Sequence, residues 1–302
     1  MRQAENKVKI EGILSEVDIK KGSYVKNNKN VESIGGTIKI KVVQNINGED
    51  IELEVPVHMF AQKFTNSGAK NPAYESIEKV MNNYTSIAAA GGEENADRVR
   101  ITSGQISMNE YYSQTGQLVS YPRITTSFIN QIKKADCNPE ATFSMEFVVA
   151  SKDYEVDKDG VETDKYKIMA VLPQYGEKVD LVPLYALGEG VISAISTYWN
   201  EGDTVKAVGK LNFSSKTEEY LQKVDFGEPI KSSRTINVSE LIITGGTQFP
   251  LEDEYAFSED EIRKALTERK ARLEESKAKS SNKKAKTTTT PSLSAAISDM
   301  GF

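Results

Sequence analysis

Two stretches of this chain ask for the same unusual strand. Residues 48–60 read GEDIELEVPVHMF and residues 176–187 read GEKVDLVPLYAL. Each opens on Gly-Glu, alternates apolar with polar residues, passes through Val-Pro and ends apolar. Proline has no N–H to give a ladder, so such a strand is confined to an edge, a bulge or a place where pairing stops. The two Gly-Glu openings lie 128 residues apart. In a chain of 302 residues that spacing is about one domain length and points to a duplicated unit.

The surroundings repeat as well. TIKIKVVQNIN (37–47) and YKIMAVLPQY (166–175) are alternating strands that turn into the proline strands. Anchored on Gly48 and Gly176, Ile38 aligns with Tyr166, Ile40 with Ile168 and Val42 with Ala170. Asn47-Gly48 is a hairpin turn signal. Upstream, VKIEGILSEVDI (8–19) matches TFSMEFVVASKDYEV (142–156) in character. Downstream each copy turns helical. Tyr74, Ile77, Val80, Met81, Tyr84, Ile87 and Ala88 share one face at helical spacing, with Asn71 as N-cap and Pro72 at the first position. Val191, Ile192, Ile195, Tyr198 and Trp199 form the shorter counterpart. Two more strands follow each helix. Residues 96–108 and 202–213 carry the mid-strand glycines Gly104 and Gly209, and residues 123–132 match 235–244. The prolines fall after strand three, where the chain would leave its partner for the helix.

Strand, strand, strand, helix, strand, strand is the order of the OB-fold, a partly open five-stranded barrel. Over residues 5–247 the chain resembles the tandem OB-fold single-stranded DNA-binding proteins, in particular those of bacteriophages. The expected fold is therefore mainly β, with two tandem five-stranded barrels, each with an inserted helix. The first barrel is expected over 1–135 and the second over 136–247. An acidic segment and charged helix would follow over 248–279, opened by Ser258 and Glu261 as a capping box, and a disordered lysine-rich tail over 280–302.

The resemblance implies cations for phosphate and aromatic rings for bases, on strands two and three and on the loops joining strands one to two and four to five. In copy one the first loop (19–36) holds Lys20, Lys21, Lys26 and Lys29 around Tyr24. Lys39 and Lys41 alternate with apolar residues on strand two, and Arg98 and Arg100 do so on strand four. The later loop (109–123) holds Tyr111, Tyr112, Tyr121 and Arg123. In copy two the first loop (153–165) is acidic, while Lys167, Lys206, Lys210 and Phe213 lie on or near its strands. A row of lysines is also an ordinary guard against edge-to-edge association, so a binding face and a solvated face both remain open. The chain ends DMGF, and the resemblance makes Asp299 and Phe302 candidates for docking replication or recombination proteins.

The remaining chemistry is sparse. One histidine and one cysteine argue against zinc sites, disulfides and a His-based triad. Asp157, Asp159 and Asp164 lack the full calcium loop, and there is no phosphate loop. A net charge of −6 weighs weakly against an indiscriminate polyanion binder but allows a local basic face. With no apolar run near the roughly 18 residues of a membrane span, the expected location is the cytoplasm, that of the host if a phage encodes the chain. The expectation is a non-enzymatic protein without cofactor that coats single-stranded DNA in replication or recombination. The alternatives are a virion structural protein or an adaptor built from small barrels.

Overall fold

The computed structural model describes residues 1–113, 115–157, 159–222 and 230–287. Strands β1 (Asn6–Lys26), β2 (Lys29–Ile46) and β3 (Glu49–Gln62) form a meander. Helix α1 (Pro72–Asn83), the single turn α2 (Ile87–Ala90), β4 (Arg98–Tyr112), β5 (Leu118–Thr125) and the short β6 (Asn130–Ile132) follow. The second unit runs β7 (Glu140–Val156), β8 (Glu162–Gln174), β9 (Lys178–Ala186), α3 (Glu189–Tyr198), β10 (Thr204–Gln222) and β11 (Ile230–Gly246), and leads to α4 (Glu259–Thr287).

Pairing closes each unit in the same way. In the first, β1–β2, β2–β3, β5–β4 and β4–β1 are antiparallel, and β3 meets β5 in parallel at Val57–Ile124 and His58–Thr125. In the second, β7–β8, β8–β9, β11–β10 and β10–β7 are antiparallel, and β9 meets β11 in parallel at Tyr185–Ile242 and Ala186–Ile243. A parallel contact needs a crossover connection, and α1 and α3 lie within those crossovers. Asn71 Oδ1 accepts from Ala73 N at 3.0 Å to open α1, whose Tyr74, Ile77 and Val80 are buried. The expected helical face breaks at Tyr84, which leaves the helical region while its hydroxyl donates to Ile129 O at 3.2 Å. Residues 123–132 break at Thr126, whose hydroxyl bonds both N–H and C=O of Phe128, and β6 then pairs the far end of β4.

Both prolines lie within strand three rather than after it. Pro56 pairs with Lys39 and Pro183 with Met169. His58 O accepts from Thr126 N, so the even residues of β3 direct their backbone groups away from β2. Pro56 shares that parity. Its missing N–H therefore faces the open edge that precedes the β5 contact and removes nothing from the β2 ladder.

The register between the copies also differs from the expectation. Lys39 is equivalent to Met169 and Thr37, opposite His58, is equivalent to Lys167, opposite Tyr185. Ile38 thus matches Ile168, not Tyr166. The reason lies in the turns. The first hairpin runs two pairs beyond Gln44–Ile51, to Asn45–Asp50 and Ile46–Glu49, before Asn47 and Gly48 turn it, whereas Tyr175, Gly176 and Glu177 turn the second directly after Gln174–Lys178. The shift is even, so every side chain keeps its face and the alternation survives.

The first loops are not loops. β1 and β2 continue as a hairpin arm to the pair Lys26–Lys29, closed by Asn27 and Asn28 at φ 51° and 60°. This is the left-handed conformation that a two-residue turn needs and that asparagine tolerates. β4–β5, β7–β8 and β10–β11 extend likewise.

The barrels join through β1 and β7, antiparallel from Asn6–Met145 to Glu11–Glu140. Val8 pairs directly with Phe143. Val8 also pairs with Gly104 on its other side, and Phe143 with Gly209. Equivalent residues therefore face each other across a pseudo-twofold axis, as in an isologous dimer interface. The two glycines make room: a Cβ on Gly104 would lie 3.0 Å from Val8 Cβ, and one on Gly209 2.5 Å from Phe143 Cε1. On either side of the axis a hairpin of one barrel reaches the other. Gln44 Nε2 donates to Leu211 O at 2.9 Å, and its equivalent Gln174 Nε2 donates to Ile106 O at 3.1 Å.

Helix α4 runs beyond the expected end at 279. Ile262 and Ala265 are buried, and Glu261 pairs with the chain's α-amino group at 2.9 Å. No described helix is long and apolar enough to cross a membrane.

Candidate nucleic-acid interface

Alternation assigns every residue of the first barrel to an inner or an outer face. On β3, Val57, Met59 and Ala61 are buried, so Pro56, His58, Phe60 and Gln62 point outward. Across the ladders the same face carries Thr37 and Gly35 on β2, Tyr24 and Lys26 on β1, and Thr125, Arg123 and Tyr121 on β5. Gln105, Ser107, Asn109 and Tyr111 complete it on β4.

Phe60 is the centre of this face and was not expected from the sequence. It is 55% exposed, and its ring lies over Gly35, where a Cβ would come within 3.0 Å of Phe60 Cδ2. Tyr24 stands beside it with ring centroids 6.4 Å apart, and its hydroxyl accepts from Gln62. Phe64 and Phe128 are half exposed at the strand ends, and Tyr111 and Tyr121 continue the aromatic series along the β4–β5 arm. His58, Phe60, Gln105, Arg123 and Phe128 line a depression of about 570 Å³. His58 Nδ1 lies 3.0 Å from Thr37 Oγ1. Burial, and secondly the positive charge of Arg123, push the imidazole below its ordinary pKa. The Nε of Arg123 is buried without a hydrogen-bond partner. The signal for Phe60 was present in the sequence: once the strand continues past Pro56, parity alone sends Phe60 outward.

The expected cations divide into groups. Lys26 and Lys29 at the tip of the β1–β2 arm are exposed and, among the described ion pairs, have no carboxylate partner. Lys20 pairs with Asp18 at 2.9 Å. Lys21 falls on the opposite face of the arm and binds Glu78 of α1. Lys39 sits between Glu16 and Glu54 at 2.7 and 3.7 Å, and Lys41 between Glu52 and Glu93 at 2.7 and 2.8 Å. That half of the outer face is already neutralised. Arg98 is buried and donates to Glu93 O and Ala96 O, both at 2.6 Å. Arg100 holds the buried Glu11 through two hydrogen bonds, at 2.6 and 3.1 Å. Both arginines belong to the structure of the β1–β4 seam. Tyr112 lies on the other side of the β4–β5 arm, with Lys277 of α4 5.8 Å from its ring centroid.

The second barrel presents a different face. Phe213 is buried in the core and offers no surface to a base. Lys206 binds Glu5 at 3.0 Å and Lys210 donates to Asn45 O at 2.5 Å, so both tie the barrels together. Lys167 remains on the outer face, half-buried opposite Tyr185. Tyr185 stands where His58 does in the first barrel, and burial, with Glu155 and Glu240 nearby, pushes its phenol up to about 12. Lys165 bridges to Glu240. Asp299 and Phe302, together with 223–229 of the copy-two later loop, lie outside the described residues.

No described group of three or more His, Cys, Asp or Glu side chains is placed to hold a metal. Asp157 Oδ1 instead accepts from Asp159 N and Val161 N at 2.9 Å and closes its own turn. Burial, and next Glu11, raise the Cys137 thiol, which is opposite to what an activated nucleophile needs.

Comparison with solved structures finds the single-stranded DNA binding protein of Thermus aquaticus at 8% identity, with a TM-score of 0.50, over 86% of this chain and 99% of that one. A deletion mutant of the same protein matches at 12% identity and a TM-score of 0.45, over 86% and 100%. At such identity the first likeness establishes a shared fold. No curated protein matches. The model of the YorF family matches residues 4–279, and the chain belongs to that family.

Proposed function

We propose that the protein binds single-stranded DNA without sequence preference along the outer face of its first barrel and protects it during replication or recombination. The observation that carries this reading is one continuous surface on which Tyr24, Phe60, Phe128, Tyr121 and Tyr111 alternate with Lys26, Lys29 and Arg123. Rings stack any base, and unpaired cations follow the phosphates. Few of these outward groups are engaged in holding the barrel together, so the surface is available to a ligand. The likeness to a single-stranded DNA binding protein supports the same reading through the fold. The DMGF terminus, with Asp299 and Phe302, is proposed to recruit replication or recombination proteins.

The test is a titration of labelled oligo-dT of about 30 nucleotides, long enough for two OB folds, at several salt concentrations with duplex as competitor. Binding should weaken with salt, with a log–log slope of about −0.7 per phosphate contact, and ignore the duplex. Phe60→Ala should weaken it about 5–100-fold, the range of one lost base–aromatic stack, without altering the melting temperature. No binding by the wild type at low salt would end this reading.

A further inference from the structure

The outer face of the first barrel does not stop at β4. Gln105, exposed on β4, lines the aromatic depression and also a groove of about 600 Å³ between the barrels. That groove runs along the edge of β4, between the β8–β9 turn and α4, and its rim carries Tyr175, Lys178 and Arg272. Its floor is sealed. Asn6 bonds both N–H and C=O of Ile106 at 3.0 and 2.7 Å, and Asp180 accepts from Met108 N at 3.1 Å. The open edge of β4 is thus capped by side chains and cannot take up another strand.

We propose that single-stranded DNA leaving the first barrel crosses β4 at Gln105 and enters this groove, where Tyr175 stacks a base and Lys178 and Arg272 hold phosphates. This rests on the reading of the first barrel as a binding face. Three observations favour it. Tyr175 opens the three-residue β8–β9 turn at the position equivalent to Asn45 of the longer first hairpin, and it is 84% exposed. An aromatic ring at a tip, flanked by cations, is costly to leave in water and suited to a base. Lys178 and Arg272 are exposed and, among the described ion pairs, have no carboxylate partner. The acids on the β4 and β8–β9 walls are engaged. Glu110 is paired with Arg269, Glu177 lies 4.0 Å from the α-amino group and 3.9 Å from Lys264, and Asp180 accepts from Met108 N and Gln174 Nε2, both at 3.1 Å. Helix α4 would then act as one wall of the track.

The experiment compares oligo-dT of about 12 and about 35 nucleotides, one within and one beyond the roughly 4–16 nucleotides covered by a single OB fold. The double variant Tyr175→Ala, Arg272→Ala alters exposed side chains only. It should bind the 12-mer as the wild type does and the 35-mer about ten-fold or more weakly, with a salt slope shallower by about 0.7. Phe60→Ala should weaken both lengths. An unchanged 35-mer affinity and slope in the double variant would overturn the groove while leaving the first-barrel site in place. Failure of the wild type to bind either length would overturn both.

Discussion

Gln44 is the perturbation that most directly tests how the two barrels hold each other. It lies on the inward-facing side of β2, after Ile38, Ile40 and Val42, and is buried. Its Nε2 donates to Ala141 O at 3.2 Å and Leu211 O at 2.9 Å, and its Oε1 accepts from Ala141 N at 2.9 Å. Gln44→Ala strips all three. The carbonyls tolerate the loss better than the N–H, which has no second way to be satisfied. An orphaned buried donor costs about 1–3 kcal/mol, and two weakened carbonyls bring the expected destabilisation to about 2–4 kcal/mol. Gln174→Ala, at the equivalent position, should cost less, about 1–2 kcal/mol, because Ile106 O keeps the Asn6 amide at 2.7 Å and Asp180, which also loses the Gln174 amide, keeps Met108 N at 3.1 Å. Urea unfolding followed by far-UV circular dichroism gives both values. The fluorescence of Trp199, which packs edge-on to Phe147 in the second barrel, reports whether that barrel then unfolds separately. A loss below about 0.5 kcal/mol for Gln44→Ala, the level of an ordinary surface change, would refute the reasoning. So would equal losses in the two variants.

Two further expectations follow from the charges. Lys26→Ala with Lys29→Ala should make the salt dependence of DNA binding shallower by about 1.4, about 0.7 per lost phosphate contact. Lys39→Ala with Lys41→Ala should leave it unchanged, since those lysines are held by glutamates; titrations of both pairs over a salt series decide it. Glu11 has its pKa lowered first by the Arg100 hydrogen bond and also by Asn138 N–H at 2.7 Å. A depressed folded pKa gives stability that is complete above the unfolded value of 4.5 and is lost as pH falls through the lower folded value. Glu11→Gln should therefore lower the melting temperature at pH 7, and the gap to the wild type should narrow under acid; a gap independent of pH would contradict the assignment.

The architecture was legible because alternation and punctuation survive divergence. Asn71-Pro72 marked the start of α1, Asn47-Gly48 the β2–β3 hairpin, and the mid-strand Gly104 and Gly209 the places where strands cross closely. What escaped depended on partners distant in sequence. A lysine reads as a free cation until Glu16 or Glu93 is brought beside it by another strand or turn. Arg98 reads as outward and basic until the chain folds back and offers it two carbonyls. The β1–β2 arm was missed because IKKGSYVKNNKN is polar enough to pass for a loop. A ladder nevertheless forms there, since a hairpin needs matched backbone and a permissive turn more than it needs a core.

The corrected register shows where the two copies have stayed alike and where they have parted. Gln44 matches Gln174 and Gly104 matches Gly209, and all four lie at the junction. On the outer face Thr37 is replaced by Lys167 at the equivalent position, Lys39 by Met169 and His58 by Tyr185. A pseudo-twofold junction constrains both copies at once, because each residue near the axis packs against its own equivalent. Outward positions carry no such coupling and can be tuned singly. In the first barrel they expose rings beside unpaired cations. In the second, Glu155 and Glu240 surround Tyr185 and Lys165 is already paired. A strand drawn to the first face by its phosphates would meet these acids on the second, which favours the proposed path sideways over β4. The groove that carries Tyr175, Lys178 and Arg272 lies on that side.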